Sequence, residues 1–554
     1  MGGDDQMKRY ELIVIGAGPA GLSAAIEAAK AGMEVAVFDE NAGPGGQLFK
    51  QIHKFFGSKE HDAKMRGFRI GQKLLAEAEE YGVKVFLNAV VMGIYDQKEV
   101  LVKIDNEVHH YKGDNIVIAT GAAENMIPFK GWNKPGVMGA GASQALMHLQ
   151  GVKPGTKVMV VGSGNVGLIV AFQVMQVGCE LVAVLDAAPR VGGYGVHIAK
   201  ITRTGAPFLA SHTIIEAKGE EKVESAVIAE VDDHFKPIPG TEKEIEVDTI
   251  LLAVGLTPMS QLASNAGCLV EYREQDGRIS PVTVVDEYGE TTVPGIYCCG
   301  DSAKETAVGA PAAMIQGRVA AARMAEKAGY ITAEEAEKSI DANLKSLDML
   351  SGGFFSVKNK GRTDIKTTEE GYELSESLLR NGYIKEEELK AFPAASYKAK
   401  GIHPVIECTQ NIPCNPCSDA CAFNCILMDK DIVKLPEINR EAKCGGCGMC
   451  VTACSGQAIF LINEDYEPGY ATVGLPYEFL PYPEKGTKGM ALDRSGKPVC
   501  EAEIVSCRLT PAMDKTAVLT MKVPLEYVNS ARFFKASAPA DDACGGDAAS
   551  AAEN

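Results

Sequence analysis

The chain has 554 residues, 46% hydrophobic and 23% charged, which is the composition of an ordinary soluble globular protein, and its length predicts about three or four domains. Its formal net charge of −18 argues against a nucleic acid or an anionic membrane surface as a partner, and no apolar stretch approaches the roughly 20 residues that would cross a bilayer. The polar start MGGDDQMKRY lacks signal-peptide character, so the 16 cysteines predict metal or redox chemistry in a reducing, cytoplasmic compartment rather than disulfides.

The stretch from Tyr10 to Asp39 has the pattern of a dinucleotide-binding unit. The uncharged run LIVI predicts a buried parallel strand, and a G-x-G-x-x-G turn, an Ala-rich helix and a second short strand follow it. In such a turn the first glycine permits the bend, the second lets the backbone approach a pyrophosphate, and the third lets the helix pack on the strand. The helix N-terminus then faces the phosphates, and the acid that closes the unit binds the ribose. The predicted contacts are Gly16, Gly18, Pro19, Ala20, Gly21 and Asp39.

Later segments resemble the FAD-binding parts of two-dinucleotide flavoprotein reductases. The turn GPGGQL follows the acid, and the strand IVIATGA ends in the residues that pack against FAD in that group. A further segment, VPGIYCCGD, resembles the strand that directs an aspartate to the ribityl chain. The resemblance implies that the first unit binds FAD through additional contacts at Gly46, Gln47, Ala119, Thr120, Gly121, Gly300 and Asp301.

A second copy of the fingerprint begins at Lys157, with a strand, the turn GSGNVG, a helix and a second strand that ends at Asp186. Two copies make an internal repeat, which is more specific than either copy alone. Asp186 can accept hydrogen bonds from ribose hydroxyls and would repel a 2′-phosphate, which favours NAD(H) over NADP(H), while Arg190 keeps NADP(H) open. The predicted contacts are Gly162, Gly164, Asn165, Val166, Gly167 and Asp186.

A narrower resemblance concerns residues 131–155, GWNKPGVMGAGASQALMHLQGVKPG, and residues 182–190, VAVLDAAPR. Both are similar to the α subunits of opine oxidase, hydrogen cyanide synthase, dye-linked proline dehydrogenase and heterotetrameric sarcosine oxidase. The resemblance covers roughly residues 8–328 and implies association with a smaller substrate-oxidising flavoprotein subunit. Some of these relatives have a degenerate second turn, whereas this turn is intact, so nicotinamide binding stays open. Their additional cluster is typically a [2Fe–2S] centre with a different cysteine arrangement.

Nine of the 16 cysteines lie between residues 408 and 454. The second run there has bacterial ferredoxin spacing, C-x2-C-x2-C-x3-C, with Ser455 where proline is usual, and the first run is one residue longer. By the ferredoxin crossing rule, one [4Fe–4S] cluster is expected on Cys414, Cys417, Cys421 and Cys454, and the other on Cys425, Cys444, Cys447 and Cys450. The long gap puts Cys421 in doubt, with Cys408 as its replacement.

Other readings of the cysteines and histidines are less favoured. A structural zinc site would need only paired C-x2-C motifs, but two four-cysteine runs without histidine favour iron–sulfur clusters. Vicinal Cys298 and Cys299 are expected to be buried small residues, and no C-x2-C or C-x4-C lies near the flavin turns, which disfavours a dithiol mechanism. His53 could approach a flavin but is more simply a structural residue.

These patterns predict an α/β protein with two nested Rossmann-like dinucleotide-binding domains, followed by a ferredoxin-like iron–sulfur domain and a small β-rich module. The predicted segments are 8–125 and 255–328 for the FAD-binding domain, 126–254 for the inserted NAD(P)-binding-like domain, 329–400 for a helical connector, 401–463 for the ferredoxin-like domain, 464–535 for the β-rich module and 536–554 for a disordered tail.

Three functions are consistent with these features. The first is the electron-transfer subunit of an amino-acid or imino-acid (amine) dehydrogenase complex. The second is a stand-alone NADH-dependent reductase that passes electrons to ferredoxin or another acceptor. The third is a scaffold whose second site holds a regulatory adenine nucleotide. No acid/base pair stands out beyond the cofactor motifs, so the cofactors are expected to carry the chemistry.

Overall fold

The structure is a computed structural model that describes residues 7–275, 278–303, 309–353 and 365–537. Its first elements are β1 (Lys8–Ile15), α1 (Pro19–Lys30), β2 (Val35–Phe38), α2 (Gly67–Glu80), β3 (Lys84–Phe86), β4 (Val90–Tyr95), β5 (Glu99–Ile104), β6 (Glu107–Ile118) and β7 (Ala122–Glu124). The first sheet has the order β3–β2–β1–β6–β5–β4. Strands β1, β2, β3 and the second half of β6 are parallel, whereas β4 and β5 form an antiparallel extension on the first half of β6.

Apolar residues on both faces bury this sheet. Leu12 and Val14 pack with α1 on one face, and Ile13 and Ile15 pack on the other, which is why β1 is a continuous apolar run rather than an alternating one. Residues 62–82 have an amphipathic pattern, but helix α2 begins only at Gly67, because the backbone is left-handed at Asp62, with φ of 55°, and at Lys64, with φ of 70°.

The inserted unit forms a second parallel sheet. Its elements are β8 (Val137–Gly139), α3 (Ala140–Leu149), β9 (Lys157–Val161), α4 (Asn165–Gln176), β10 (Glu180–Asp186), α5 (Gly195–Thr202), β11 (Phe208–Ala210), β12 (His212–Lys218), β13 (Ser225–Glu230), β14 (Lys243–Glu246), β15 (Thr249–Leu252) and β16 (Leu256–Pro258). The parallel order is β11–β10–β9–β15–β8, and β12–β13–β14 form a separate antiparallel sheet. Strands β7 and β16 pair with each other, so the chain enters and leaves this unit through one two-stranded ribbon.

The chain then returns to the first unit. The returning elements are α6 (Gln261–Asn265), β17 (Val270–Gln275), β18 (Arg278–Thr283), β19 (Ile296–Cys298) and α7 (Ala310–Lys327). Strand β19 adds to the first sheet in parallel beside β6. Helix α7 crosses α1 closely, because a Cβ on Gly317 would lie 2.2 Å from the Ala20 carbonyl oxygen. The second unit is therefore inserted into the first.

Helices dominate the described part of the connector. They are α8 (Ala333–Leu350), α9 (Glu376–Asn381) and α10 (Glu386–Leu389). Thr332 and Glu335 form a capping box at the start of α8. Leu378 and Leu389 belong to the hydrophobic core of the inserted unit, so α9 and α10 pack on that unit.

The C-terminal part is a ferredoxin-like motif that continues into a large sheet. Its elements are β20 (His403–Ile406), α11 (Pro416–Asp419), β21 (Ile426–Leu427), β22 (Glu437–Ile438), α12 (Met449–Ala453), β23 (Ile459–Glu467), β24 (Tyr470–Tyr477), β25 (Lys488–Leu492), β26 (Pro498–Arg508), β27 (Ala517–Pro524) and β28 (Phe533–Ala536). The outer pair β20–β23 and the inner pair β21–β22 are both antiparallel. Strand β23 also pairs with β24, in the order β20–β23–β24–β27–β26–β25–β28.

Two predicted boundaries differ from this arrangement. The boundary between residues 463 and 464 falls inside β23, because its buried run Ile459–Ile462 serves both the cysteine-rich segment and the sheet. These two segments therefore share one sheet. The first residue of the predicted tail, Ala536, ends β28, and residues 538–554 lie outside the described residues. In the described ranges, no helix has both the length and the apolar character required to traverse a bilayer.

Candidate cofactor sites

The first glycine turn has the geometry of a pyrophosphate cradle. A Cβ on Gly16, where φ is +103°, would lie 2.4 Å from the Ala119 carbonyl oxygen, and a Cβ on Gly21 would lie 2.0 Å from the Gly16 carbonyl oxygen. A Cβ on Gly18 would meet no atom within 4 Å. The outer glycines are thus required by packing, whereas the middle one faces free space into which a cofactor fits.

Asp39 is fixed beside this turn. Its Oδ2 accepts a hydrogen bond of 2.6 Å from the Ala17 amide, and its Oδ1 accepts one of 2.8 Å from the Asn41 amide. These bonds hold the carboxylate at the carboxyl end of β2, next to the turn. This is the position from which an acid binds a ribose in such units.

The remaining predicted FAD contacts lie at the same edge of the sheet. A Cβ on Gly46 would lie 3.0 Å from Gly18 Cα, and one on Gly300 would lie 2.9 Å from Ala20 Cβ. Gln47 is exposed, and Ala119, Thr120 and Gly121 directly follow β6. Burial raises the pKa of Asp301, which is the third residue after the end of β19. The carboxyl ends of three parallel strands therefore surround one cradle.

The second turn repeats the first one. A Cβ on Gly162, where φ is +105°, would lie 2.3 Å from the Ala253 carbonyl oxygen, and one on Gly167 would lie 2.1 Å from the Gly162 carbonyl oxygen. Gly164 again faces open space. The Oδ2 of Asp186 accepts hydrogen bonds from the Ser163 amide at 2.7 Å and from the Ser163 hydroxyl at 2.6 Å.

Asn165 and Val166 lie at the start of α4, and only Val166 is exposed. The Oδ1 of Asn165 accepts a 2.8 Å hydrogen bond from the Tyr194 amide, and the Gly192 amide donates a 2.9 Å bond to the Ser163 hydroxyl. The segment before α5 is therefore tied to the second turn. No spacing in the sequence indicated this link.

Arg190, which kept NADP(H) open, forms an ion pair of 3.0 Å with Glu376 of α9. The guanidinium therefore has a carboxylate partner from the connector. The preference for NAD(H) over NADP(H) stays a prediction, which rests on Asp186.

The cysteines of both runs and Cys408 lie close together in the C-terminal part, and the predicted ligand sets stay predictions. Burial raises the pKa of the Cys414 thiol, and Cys417, Cys454 and Cys408 raise it further. Burial likewise raises the pKa of Cys425, and Cys421 and Cys444 add to the shift. Burial also raises the pKa of Cys450, and Cys444, Cys421, Cys447 and Cys417 add to the shift. Cys408, Cys414 and Cys454 share one hydrophobic cluster and are called the first cysteine group, whereas the predicted set of Cys425, Cys444, Cys447 and Cys450 is called the other cysteine group.

The donor set fits iron–sulfur clusters by its chemistry. Backbone amides donate to sulfur at Cys421 (3.2 Å from Cys425 N), Cys444 (3.4 Å from Gly446 N) and Cys454 (3.4 Å from Ala458 N), as is typical around cluster thiolates. In the described residues, no three His, Cys, Asp or Glu side chains converge on one metal-sized point. The cysteines therefore fit iron–sulfur clusters by the chemistry of their thiols and by their proximity, and the structure shows no formed coordination geometry in its described residues.

The segment after the GGQL turn joins the first unit to the cysteines. Lys54 Nζ donates to the Thr452 carbonyl at 2.6 Å, and the Ser455 hydroxyl donates to the Phe55 carbonyl at 2.8 Å. The Asn415 amide donates to the Gly57 carbonyl at 3.0 Å. Both cysteine runs thus contact one short loop of the FAD-binding unit.

Helix α5 joins the inserted unit to the same region. The Gly195 amide donates to Gln410 Oε1 at 2.7 Å, and the Arg203 guanidinium donates to the Gln457 carbonyl at 2.9 Å. Tyr194 and Val196 pack in one hydrophobic cluster with Cys408, Cys414 and Cys454. The first cysteine group therefore lies where the two dinucleotide units and the C-terminal part meet.

The remaining candidates lie in the interior. Cys298 and Cys299 are buried, as expected. His53 stacks on Phe55 with ring centroids 4.9 Å apart, and burial lowers its pKa to about 3. It is held as a neutral structural residue on the cysteine side of the GGQL turn.

Comparisons with known proteins agree with this arrangement. The family profile described as "Pyridine nucleotide-disulphide oxidoreductase" matches residues 10–329. An opine oxidase subunit of Agrobacterium tumefaciens (strain Ach5) is 31% identical over 330 residues, which cover 56% of this chain and 64% of that protein. Hydrogen cyanide synthase subunit HcnB of Pseudomonas aeruginosa is 26% identical over 356 residues, 61% of this chain and 75% of that one. These relatives confirm the resemblance carried by residues 131–155.

The solved structure of T. acidophilum thioredoxin reductase aligns with a TM-score of 0.48 and 22% identity, over 58% of this chain and 99% of that one. The match to the Agrobacterium opine oxidase protein spans just under two thirds of that protein's length.

Proposed function

The chain is an FAD-dependent oxidoreductase of the pyridine nucleotide-disulphide oxidoreductase family, and we propose that it is the electron-transfer subunit of an amino-acid or imino-acid (amine) dehydrogenase complex. In this proposal electrons pass between FAD in the first unit and two [4Fe–4S] clusters on the cysteine runs. The clusters, the substrate class and the partner are parts of the proposal that go beyond the family.

One observation carries the proposal: the loop that follows the GGQL turn holds both cysteine runs. Thr452 accepts from Lys54 at 2.6 Å, Ser455 donates to Phe55 at 2.8 Å, and Asn415 donates to Gly57. The same loop continues directly from Gly46 and Gln47 at the predicted flavin site. A short covalent path and three hydrogen bonds therefore hold the cysteine runs at a fixed position relative to the FAD-binding turn.

The residues of the chain serve this function by holding and tuning cofactors. When bound, FAD supplies the exchange of one or two electrons, and the clusters supply single-electron transfer. Gly18 would leave room for the pyrophosphate, Asp39 would bind the ribose, and Asp301 would contact the ribityl chain, as the family resemblance implies. The thiols of Cys408, Cys414, Cys417 and Cys454 would hold the cluster nearer the FAD-binding loop. The other cysteine group would hold the second cluster.

The partner part of the proposal comes from the relatives. The opine oxidase and hydrogen cyanide synthase relatives are both named as subunits. A smaller flavoprotein that oxidises an amino acid or amine would deliver electrons to this chain. Ferredoxin or another acceptor would receive them. Localisation in the cytoplasm follows from the same proposal, since such an acceptor pool lies there.

A second function is favoured by the intact second turn. Gly164 faces open space, and Asp186 occupies the same position as Asp39 of the first unit. NADH bound there would make the chain a stand-alone reductase. A regulatory adenine nucleotide at the same turn would make that site a sensor instead.

The test is anaerobic purification of the tagged full chain from its own host. We expect a second flavoprotein in equal amount, FAD on this chain, and about eight iron and eight acid-labile sulfide per chain from two four-iron clusters. A chain that elutes alone and oxidises NADH with a dye acceptor would replace the first function by the second. If no partner co-purifies and neither NADH nor NADPH reduces the flavin, the scaffold with a regulatory nucleotide site becomes the favoured function. If the chain contains zinc but no iron, the iron–sulfur clusters are excluded.

A further inference from the structure

Helix α5 of the inserted unit and the residue that follows it bring two buried cations to the cysteine-rich segment. Lys200 is 3% exposed and Arg203 is 5% exposed. Neither forms an ion pair with a carboxylate in the ranges that the structure describes. Buried charges are costly unless another charge compensates them, so these two need a partner.

Arg203 is directed at the loop that carries Cys454. Its guanidinium donates to the Gln457 carbonyl at 2.9 Å and to Gln457 Oε1 at 3.3 Å. The next residue, Ala458, donates its amide to Cys454 Sγ at 3.4 Å. The Nε of Arg203 is buried without a hydrogen-bond partner. Arg203 therefore holds the loop that carries Cys454. Its positive charge is not paired with a carboxylate of the described residues and lies next to that loop.

Lys200 faces the same sulfur across a small cavity. Its ammonium lies 4.3 Å from the centroid of Phe172 and donates no hydrogen bond to the described residues. Lys200, His53 and Cys454 all line this cavity. The ammonium and the thiol thus line one cavity together with the carboxylate of Glu478, and His53 there is neutral.

The nearby carboxylates are already occupied. Glu407, the acid that acts on Arg203, pairs with Arg494 and Arg532, each at 2.6 Å. Glu478, the acid that acts on Lys200, pairs with Arg66 at 3.3 Å and accepts a hydrogen bond from Thr516. The protein alone therefore leaves positive charge in excess around Cys454. A [4Fe–4S] centre held by four thiolates is negatively charged and would compensate it.

We propose that Lys200 and Arg203 are positioning residues through which the inserted unit raises the reduction potential of the cluster bound by Cys454. This inference rests on the proposed function. Reduction adds one electron to that centre, and hence one unit of negative charge. Two fixed cations in a buried site stabilise the reduced state more than the oxidised state. The inserted unit then has a role in electron transfer that does not require a nucleotide to donate hydride.

The test is a redox titration of the anaerobically reconstituted full chain, followed by electron paramagnetic resonance. In Arg203→Gln and in Lys200→Met, we expect one cluster to become about tenfold harder to reduce, a shift of about 59 mV for a one-electron couple. The second cluster is the internal control and should keep its potential. Arg508→Gln is the matched control, because Arg508 is exposed and donates to the Gly446 carbonyl at 3.1 Å beside the other cysteine group. It should leave the Cys454 cluster unchanged.

Unchanged potentials in variants with full iron content would overturn the inference, and so would equal shifts of both clusters. If Arg203→Gln does not fold, the inference is tested with Arg203→Lys and Lys200→Met. Arg203→Lys should keep the wild-type reduction potential of the Cys454 cluster, and Lys200→Met should lower it. A wild-type chain without iron would overturn the proposed function and this inference together. A chain with eight irons and unshifted potentials would overturn this inference alone.

Discussion

Gly18 and Gly164 are the two turn positions at which an added side chain would point into the space of a cofactor. Their backbone is extended, with φ of −75° and −62°, which any residue adopts. A Cβ at either position meets no protein atom within 4 Å. Valine is therefore compatible with the fold at both positions, and its effect reports on the cofactor that occupies the space.

Gly18→Val should abolish flavin retention, since the new side chain blocks the approach of the backbone to the pyrophosphate. The flavin-to-protein ratio after purification measures this directly. Gly164→Val is the matched control and should stay fully yellow. A Gly18→Val chain that keeps its flavin would show that FAD does not lie on this turn.

Asp186→Ala should weaken NADH binding about ten- to a hundredfold, as expected for the loss of a charge-assisted hydrogen bond to a ribose. FAD content should hardly change, because Asp39 serves the other unit. Rapid-reaction measurement of flavin reduction over a range of NADH and NADPH concentrations gives the affinities. NADH should be the better reductant of the wild type, and equal, negligible reduction by both nucleotides would speak for a regulatory site.

At the scale of single residues, contacts within one unit can be predicted from the sequence. Contacts between residues far apart in the chain cannot. The outer glycines of both turns were predictable because a Cβ on each would meet an atom of its own unit, such as Gly16 against Ala119. The bond from Lys54 to Thr452 spans 398 residues and leaves no spacing signature. The sequence likewise gives no sign that Arg203 contacts Gln457, which only the folded chain brings together.

Among the elements, the cysteine loops carry the sharpest test, because the structure groups Cys408 with Cys414 and Cys454 in one hydrophobic cluster. Cys408→Ser should therefore remove one cluster and reduce the iron content from about eight to about four per chain. Cys500→Ser, at a partly buried cysteine of β26, is the control and should keep all the iron. If Cys408→Ser keeps its full iron content, Cys421 and not Cys408 is the ligand that joins Cys414, Cys417 and Cys454.

Element types were more predictable than element limits. Strand β2 was predicted as the short strand before Asp39, because four apolar residues stand between a charged residue and Asp39. Strand β23 was divided between two predicted domains, because a ferredoxin-like strand and the first strand of a sheet have the same pattern of buried residues. Only the pairing of β23 with both β20 and β24 reveals that it is one strand.

At the scale of the whole molecule, Glu407 joins distant parts of the C-terminal sheet. Burial alone would raise its pKa, but Arg494 and Arg532 lower the pKa to about 2. Glu407→Gln leaves both arginines buried without their carboxylate and should lower the free energy of unfolding by about 3–5 kcal/mol. Denaturant unfolding monitored by fluorescence measures the loss.

Glu464→Gln is the control for this network. Glu464 pairs at 3.0 Å with Lys398, whose side chain is largely exposed, so its loss should cost under about 1 kcal/mol. Similar losses in the two variants would mean that the network around Glu407 does not hold the C-terminal sheet together.

The nested order of the two units also has a consequence for synthesis on the ribosome. Strand β19 pairs with the end of β6, and their partners Ile296 and Ile116 are 180 residues apart along the chain. At translation rates of about 5–20 residues per second, the edge of the first sheet beside β6 stays open for roughly 9–36 s while the inserted unit is made. The inserted sheet, whose strands all lie in that interval, can fold during the wait. The nascent chain can therefore form the parallel sheet of the inserted unit before β19 closes the first sheet, and the predicted flavin contacts at Gly300 and Asp301 exist only in chains that have grown beyond β19.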